Sequence, residues 1–339
     1  MEVDWSDAHD GWLVTRRADA LAVLRDPAGF TVEDPRFATA RVVGPSMLSL
    51  DGAEHDRHRA PFAAGLRPKV VREALAEVVE AEARALIDAF GAEVELRTRF
   101  AGPLAAAVMA HVLDLGSTDT ADVLRWYGAI VRATTEASEG REPAREGEAA
   151  FAELARAIGP ALAAAGDLTR AEVVSNAAVL LFGGVETTEG MICNMVWHLL
   201  THPKALVRIR ADPTLVEAAV EESLRLEPAA AVVDRYATCD AGRVARGDKV
   251  VVSIRAANRD PAVFDDPDAF RLDRPAARRH LTFATGPHAC PGLHLARLEA
   301  RVALRLLLAR FPNMALAAPT APEGLVFRKP AALRVRVSG

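Results

Sequence analysis

Residues 283–297 constrain the chain more than any other stretch, because they place one cysteine in a glycine-containing loop directly before a helix. They read Phe-Ala-Thr-Gly-Pro-His-Ala-Cys-Pro-Gly-Leu-His-Leu-Ala-Arg. After Gly292, apolar residues recur every three or four positions, which predicts a helix with Pro291 in its first turn. Free N–H groups at the start of a helix favour a thiolate at Cys290. Gly286 and Gly292 let the backbone approach a flat group. The alternative is a buried structural cysteine before an ordinary amphipathic helix.

This segment resembles the haem-binding signature of the cytochrome P450 family, Phe-Gly-x-Gly-x-[His/Arg]-x-Cys-x-Gly. The matching positions are Phe283, Gly286, His288, Cys290 and Gly292. Ala284 departs from the pattern, since the family usually has glycine there. The resemblance implies haem b as the cofactor, with Cys290 as the metal ligand, and a mainly α fold with small β-sheets (α+β). It also implies a monooxygenase, because a thiolate ligand favours O–O cleavage at haem iron.

Length and composition leave few other classes open. The 339 residues show no repeat or linker, so we expect a single domain over residues 1–339. A net charge of −5 gives no indication of a nucleic-acid partner. The three widely spaced cysteines predict neither a disulfide framework nor a zinc site. No signal peptide is predicted, and the longest apolar stretch, residues 173–200, is interrupted by Glu186 and Glu189. We therefore expect a cytoplasmic monomer with no membrane contact.

A long buried helix is predicted over residues 169–202, because a Thr-x-x-Glu capping box opens a stretch that is apolar on nearly all faces. Residues 183–187 within it read Gly-Gly-Val-Glu-Thr. Each glycine inside a helix costs about 1 kcal/mol relative to alanine, so either close helix packing or a groove must compensate. The stretch matches the family's [Ala/Gly]-Gly-x-[Asp/Glu]-Thr motif. That match implies a groove at Gly183 over the haem, with Glu186 and Thr187 delivering protons to dioxygen.

Basic residues in three segments are candidates for binding the haem propionates. His55 and Arg59 lie four residues apart, on one face of a predicted helix, which by itself is typical of a solvated basic face. The resemblance implies instead that both contact a propionate, since a planar guanidinium pairs well with a carboxylate. It assigns the same role to Arg235 and His288.

A helix predicted over residues 216–226 carries Glu222 and Arg225, three residues apart. Such pairs are usually exposed and contribute little to stability. In the family this pair is buried and is joined by a later arginine, here Arg274. Because an unpaired buried charge is strongly destabilising, we expect the loss of Glu222 to prevent haem incorporation.

The resemblance also indicates which segments line the substrate pocket. They are a small apolar stretch and a returning loop near the C-terminus, namely Ala229, Ala230, Ala231, Val232 and Val326. The chain looks shortened at its N-terminus and in the F–G helix region, between residues 125 and 165. A more open pocket would suit a bulky or carrier-tethered biosynthetic intermediate, such as a peptide or polyketide of specialised metabolism. Hydroxylation, epoxidation and oxidative cross-linking all stay open, as does an ordinary small-molecule substrate.

External electron donors are implied, because the sequence has no flavin or iron–sulfur motif; in bacterial relatives these are a ferredoxin and a ferredoxin reductase. Six basic residues either form a docking face or are solubilising charge: Arg57, Arg67, Lys69, Arg72, Arg297 and Arg301. Two other functions remain possible. A peroxide-driven peroxygenase is disfavoured by the intact Glu186–Thr187 pair. A non-catalytic recruitment module with this fold is disfavoured by the presence of Cys290.

Overall fold

The computed structural model describes residues 1–138, 141–142, 145–159 and 166–337. Helices dominate, and the strands form three small sheets, so the predicted mainly α fold is confirmed. In chain order the helices are α1 Arg17–Arg25, α2 Ala38–Val43, α3 Gly52–Gly65, α4 Pro68–Val70, α5 Ala76–Asp88, α6 Gly102–Val112, α7 Thr120–Ser138, α8 Arg145–Ala157, α9 Arg170–Thr201, α10 Pro203–Ala211, α11 Val216–Leu226, α12 Ile254–Ala257 and α13 Leu293–Arg310. Short π-helical turns over Val71–Leu75 and Arg97–Ala101 lead into α5 and α6. None of the helices among the described residues combines the length and the apolar character needed to cross a membrane.

Helix α9 forms the centre of the molecule and confirms the helix predicted over residues 169–202. The Thr169 hydroxyl accepts a hydrogen bond from the backbone N–H of Glu172, whose side chain accepts one from the Thr169 N–H, which completes the capping box. The helix packs against α6, α7, α11 and α13, and this is why nearly all of its faces are apolar.

The largest sheet lies beside the helical core, with strand order β1-β2-β6-β5-β3. Its strands are β1 Asp4–Ser6, β2 Gly11–Val14, β3 Phe30–Thr31, β5 Val232–Ala237 and β6 Lys249–Ser253. Strands β2 and β6 are parallel, and the other neighbours are antiparallel. The sequence predicts strands over residues 11–15 and 249–254, which correspond to β2 and β6, whereas β1 has only three residues and no alternating pattern to reveal it.

Two smaller sheets involve the C-terminal part of the chain. One has the order β4-β10-β7, and the other pairs β8 with β9. Their strands are β4 Glu93–Glu95, β7 Ala315–Leu316, β8 Pro322–Glu323, β9 Lys329–Pro330 and β10 Arg334–Arg336. The Ala-rich sequence of residues 71–165 predicts successive helices. This prediction is wrong at β4, which is held by pairing with β10 far along the chain. The sequence also predicts helix breaks at residues 116–119 and 139–143. The first separates α6 from α7, and the second lies largely outside the described residues.

Candidate active site

The loop before α13 presents Cys290 in a tight turn. The backbone N–H of Cys290 donates to the Phe283 carbonyl oxygen at 2.8 Å. Gly286 has φ +76°, and a Cβ atom there would collide with the carbonyl oxygen of Leu24 in α1, so glycine is required. Ala284, where the family pattern has glycine, also adopts a left-handed conformation, with φ +54°. Ala284 thus adopts a backbone conformation that glycine takes up without strain.

Two details of the cysteine prediction need correction. Helix α13 begins at Leu293, so Pro291 precedes the helix instead of occupying its first turn. Burial raises the pKa of the Cys290 thiol, although a backbone hydrogen bond from Gly292 and the positive charge of Arg59 act in the opposite direction. The start of the helix alone therefore does not lower this pKa. An iron ion bound by Cys290 would do so, because a coordinating thiol is deprotonated outright.

The structure brings the predicted propionate-binding residues together on one side of this loop. The Arg59 guanidinium donates to the Ala289 carbonyl oxygen at 2.6 Å. His55 Nε2 lies 3.2 Å from the Pro287 carbonyl oxygen. The rings of His55 and His288 pack edge to face, with centroids 4.3 Å apart. Helix α3 and the cysteine loop, which are distant in sequence, therefore meet beside Cys290.

A buried cation in this cluster fits an anionic cofactor. Arg235 is only 6% exposed, and among the described residues its guanidinium makes a single hydrogen bond, to the Asp234 carbonyl oxygen at 2.7 Å. Burial lowers the pKa of Arg235, against the opposing charges of Asp51 and Asp234. Because a buried charge needs a partner, this guanidinium suits a propionate of a bound haem.

Asp51 is a member of the cluster that the sequence did not indicate. Its carboxylate lies 2.8 Å from His288 Nε2 and accepts a hydrogen bond from the Thr31 hydroxyl at 2.6 Å. Burial works to raise the pKa of Asp51, but the hydrogen bonds from His288, Thr31 and the Val32 N–H outweigh it and lower the pKa to about 2. Asp51 therefore fixes the orientation of the His288 ring.

Different structural features account for the two glycines in the middle of α9. A Cβ atom at Gly184 would overlap the Met109 side chain of α6, so close helix packing requires glycine there. A Cβ atom at Gly183 would meet nothing within 4 Å, so a groove is open above it. The Thr187 hydroxyl lies beside this groove and donates to the Gly183 carbonyl oxygen at 2.6 Å. The open face of α9 thus fits the haem expected from the sequence.

Glu186 is buried between a tyrosine hydroxyl and a lysine ammonium group. The Tyr127 hydroxyl of α7 donates to Glu186 Oε2. The Lys329 ammonium of β9 lies 2.8 Å from Glu186 Oε1 and 2.7 Å from Glu189 Oε1. The sequence indicated Glu186 through its motif, but it gave no signal for Lys329 or Tyr127. Glu189 stood out only as a charge in an apolar stretch.

Glu222, Arg225 and Arg274 form one buried network. Arg225 Nη2 lies 2.8 Å and Arg274 Nε 2.9 Å from Glu222 Oε1, and all three side chains are at most 3% exposed. The Arg225 guanidinium also donates to the carbonyl oxygens of Asn258 and Pro267. The network therefore ties α11 to the irregular segment that precedes the cysteine loop.

The two predicted pocket segments lie side by side. The Ala231 N–H donates to the Val326 carbonyl oxygen at 2.8 Å, and Ala230 forms an isolated β-bridge with Phe327. Ala229 packs so closely on α9 that a Cβ atom at Gly190 would lie 2.9 Å from its methyl group. Ala229, Ala231 and Val232 are buried, whereas Val326 is 43% exposed.

The predicted basic docking face is only partly present. Arg297 makes a double hydrogen bond to Glu221, at 2.6 and 3.0 Å, and lies over the Phe283 ring, so it is an internal residue. Arg57 pairs with Glu54 and Glu172. Both residues leave the candidate docking set because carboxylates already compensate their charges, for Arg297 inside the fold and for Arg57 nearer the surface, where its side chain is 29% exposed. Three of the other basic residues are exposed: Arg67, Lys69 and Arg72.

Comparison with known proteins agrees with this geometry. A family model described as "Cytochrome P450" matches residues 161–315. Nocardicin C N-oxygenase of Nocardia uniformis subsp. tsuyamanensis is 35% identical over 351 residues, which cover 96% of this chain and 87% of that protein. Mycinamicin IV hydroxylase/epoxidase of Micromonospora griseorubida is 33% identical, with 96% and 89% covered.

A solved structure matches as well. P450BioI, in complex with hexadec-9Z-enoic acid ligated acyl carrier protein, has a TM-score of 0.86 and 29% identity, covering 97% of this chain and 92% of that one. Together with the gathered cysteine loop and the open groove, these similarities show that the chain belongs to the cytochrome P450 family, a monooxygenase whose cofactor is haem with an axial cysteine thiolate.

Proposed function

We propose that this cytochrome P450 oxidises a bulky or carrier-tethered intermediate of bacterial specialised metabolism, such as a peptide or polyketide. The observation that carries the proposal is the open edge of the pocket segment, where Leu325 and Val326 are 49% and 43% exposed. Large apolar side chains left exposed at a pocket suit a large partner. The names of two relatives support this, since one is an oxygenase of nocardicin C and the other acts on mycinamicin IV. The reaction is a hydroxylation, an epoxidation or an oxidative coupling.

Cys290 is the proposed axial ligand of the haem. When bound, the haem supplies dioxygen activation, which the thiolate promotes by pushing electron density onto the iron. The backbone N–H of Gly292 and the charge of Arg59 stabilise the thiolate sulfur. Arg59, Arg235 and His288, with His55 behind them, are the proposed propionate partners. Their role is to fix the orientation of the cofactor.

Proton delivery is assigned to Glu186 and Thr187. Thr187 lies at the open groove beside Gly183, where a hydroxyl can pass a proton towards dioxygen. Glu186, the adjacent residue, is the proposed source of that proton. For a hydroxylation or an epoxidation, the overall reaction uses dioxygen, two electrons and two protons, and it places one oxygen atom in the substrate and the other in water. In an oxidative coupling the substrate instead loses two hydrogen atoms, and both oxygen atoms leave as water.

The electron donors are proposed to be a ferredoxin and its reductase, acting on a single-domain monomer. The exposed basic residues Arg67, Lys69 and Arg72 are the candidates for contact with an acidic ferredoxin. Turnover that requires ferredoxin and reductase, and that peroxide alone does not support, is the expected result. Efficient turnover with peroxide alone would favour a peroxygenase instead.

The substrate class is tested by titrating the haem-loaded protein with candidate ligands and following the spin-state change of the haem spectrum. We expect peptidyl or polyketide compounds, free or bound to a carrier protein, to give saturable shifts. Val326→Glu should weaken these shifts, because it places a charge at the pocket edge. An equal or stronger response to small terpenes, unaffected by Val326→Glu, would refute the assignment.

A further inference from the structure

Helix α9 carries a second buried carboxylate that the proposed mechanism does not use. Glu189 lies three residues after Glu186, so both side chains share one face of the helix. Their exposed fractions are 8% and 6%. Two negative charges this close and this well buried repel each other and are costly to desolvate. The fold therefore has to supply a compensating cation.

Lys329 is that cation, and it serves both carboxylates at once. Its ammonium lies 2.8 Å from Glu186 Oε1 and 2.7 Å from Glu189 Oε1. Arg97 is a more distant neighbour, with its Nε 3.6 Å from Glu189 Oε1. Burial raises the pKa of Glu189, while Lys329 and Arg97 act against that rise and Glu186 adds to it. One ammonium group therefore links the two carboxylates.

The backbone around Lys329 is held firmly against α9. The Asn194 side chain donates to the Arg328 carbonyl oxygen at 2.9 Å. The ring of Phe327 packs edge to face on Phe182, with centroids 5.4 Å apart. The position of the ammonium is thus fixed by the same returning segment that lines the pocket. Because Tyr127 occupies the other oxygen of Glu186, the carboxylate has a defined orientation.

We propose that Lys329 is the positioning residue for Glu186, the residue that delivers protons. Glu189 competes for the same ammonium group and so limits how strongly Lys329 binds Glu186. This inference rests on the proposed role of Glu186. Loss of Lys329 leaves two buried acids without their shared cation, so they retain protons to higher pH. Loss of the Glu189 charge has the opposite effect, because Glu186 then has the ammonium to itself.

The test uses the haem-loaded full chain with a surrogate ferredoxin, its reductase and NADPH, without substrate. In this assay dioxygen takes two electrons and two protons to give hydrogen peroxide, so the pH dependence of the rate includes the groups that deliver those protons. Lys329→Met should move the midpoint of the pH–rate profile to higher pH by about 1 pH unit or more. Glu189→Gln should move it downward, and Lys329→Arg should keep it near the wild-type position. Lys204→Met, at an exposed lysine of α10, is the matched control and should change nothing.

An infrared readout separates this effect from haem chemistry. At neutral pH, Lys329→Met should gain absorption from protonated carboxyl groups, and part of that gain should disappear when Glu186→Gln is added. A profile and an infrared spectrum of Lys329→Met that match those of Lys204→Met would overturn the inference. A Glu186→Gln variant with the wild-type profile would instead remove the proposed role of Glu186. If Lys329→Arg shifted the midpoint as far as Lys329→Met does, the result would also contradict positioning by charge.

Discussion

At the scale of single residues, Ala284 stands out as a position where the chain tolerates strain. Its φ of +54° lies in the left-handed region, which costs an L-residue about 1 to 2 kcal/mol. The conformation persists because the Ala284 N–H donates to the Leu281 carbonyl oxygen at 2.8 Å and closes the turn. The cysteine loop therefore holds its shape through its surroundings, and not through the preference of this residue.

Ala284→Gly should raise the free energy of unfolding by about 0.5 to 1 kcal/mol, since the relief of strain exceeds the greater entropy of glycine in the unfolded chain. Urea unfolding followed by circular dichroism measures the change. The matched control is Ala276→Gly, at φ −102°, which should lose stability because no strain is relieved there. Equal losses in both variants would show that Ala284 is not strained.

At the scale of elements, the sequence revealed the parts with a local signal. Helix α9 could be predicted from its capping box and apolar faces, and the cysteine loop from its glycine spacing. The bounds predicted for α11, residues 216–226, are those observed. Strands β1 and β4 could not, because each has three residues and is held by a distant partner. Asp51 and Lys329 were missed for the same reason. Their partners, His288 and Glu186, are close only after folding.

The buried network that joins α11 to the irregular segment before the cysteine loop gives a prediction at this scale. Glu222→Ala should cost about 3 to 5 kcal/mol and abolish haem incorporation, because Arg225 and Arg274 would remain buried without their partner. Haem content per protein and urea unfolding measure the two effects.

The control for that variant is Glu80→Ala, which removes exposed pairs with Arg84 and Arg305 and should cost about 1 kcal/mol or less. Full haem content in Glu222→Ala would show that the buried network does not support the cofactor site.

At the scale of the whole molecule, the cysteine loop lies where two apolar clusters meet. Phe283 packs against the large helical core, and the next residue, Ala284, packs against the smaller core beside the five-stranded sheet. The loop is thus held from both sides, which explains how segments far apart in sequence reach Cys290. Changes that lower the free energy of unfolding should therefore also disrupt the geometry of the cysteine loop.

Acid lability is a prediction for the whole fold. His198 is buried, with Nδ1 2.9 Å from the Ser223 hydroxyl, and burial is the main cause that lowers the pKa of His198 to about 3. The unfolded chain takes up this proton near the ordinary value of 6.5, so between pH 6.5 and about 3 the unfolded state binds more protons. The free energy of unfolding should fall by about 1.4 kcal/mol per pH unit in that window from this residue.

Urea unfolding at several pH values below 6.5 measures that slope. His198→Phe should flatten it, because the variant has no group to protonate there. The exposed His111 supplies the matched control, and His111→Gln should keep the wild-type slope. An unchanged slope in His198→Phe would mean that another group governs acid unfolding.

The most direct test of the account is the absorption spectrum of the reduced, carbon-monoxide-bound protein with Cys290→Ser, compared with wild type and with the exposed-cysteine control Cys239→Ser. Wild type and Cys239→Ser should show the long-wavelength Soret band of thiolate-ligated haem, and Cys290→Ser should lose both that band and turnover. A Cys290→Ser protein that kept the band and turned over normally would contradict the assignment of Cys290 as the iron ligand.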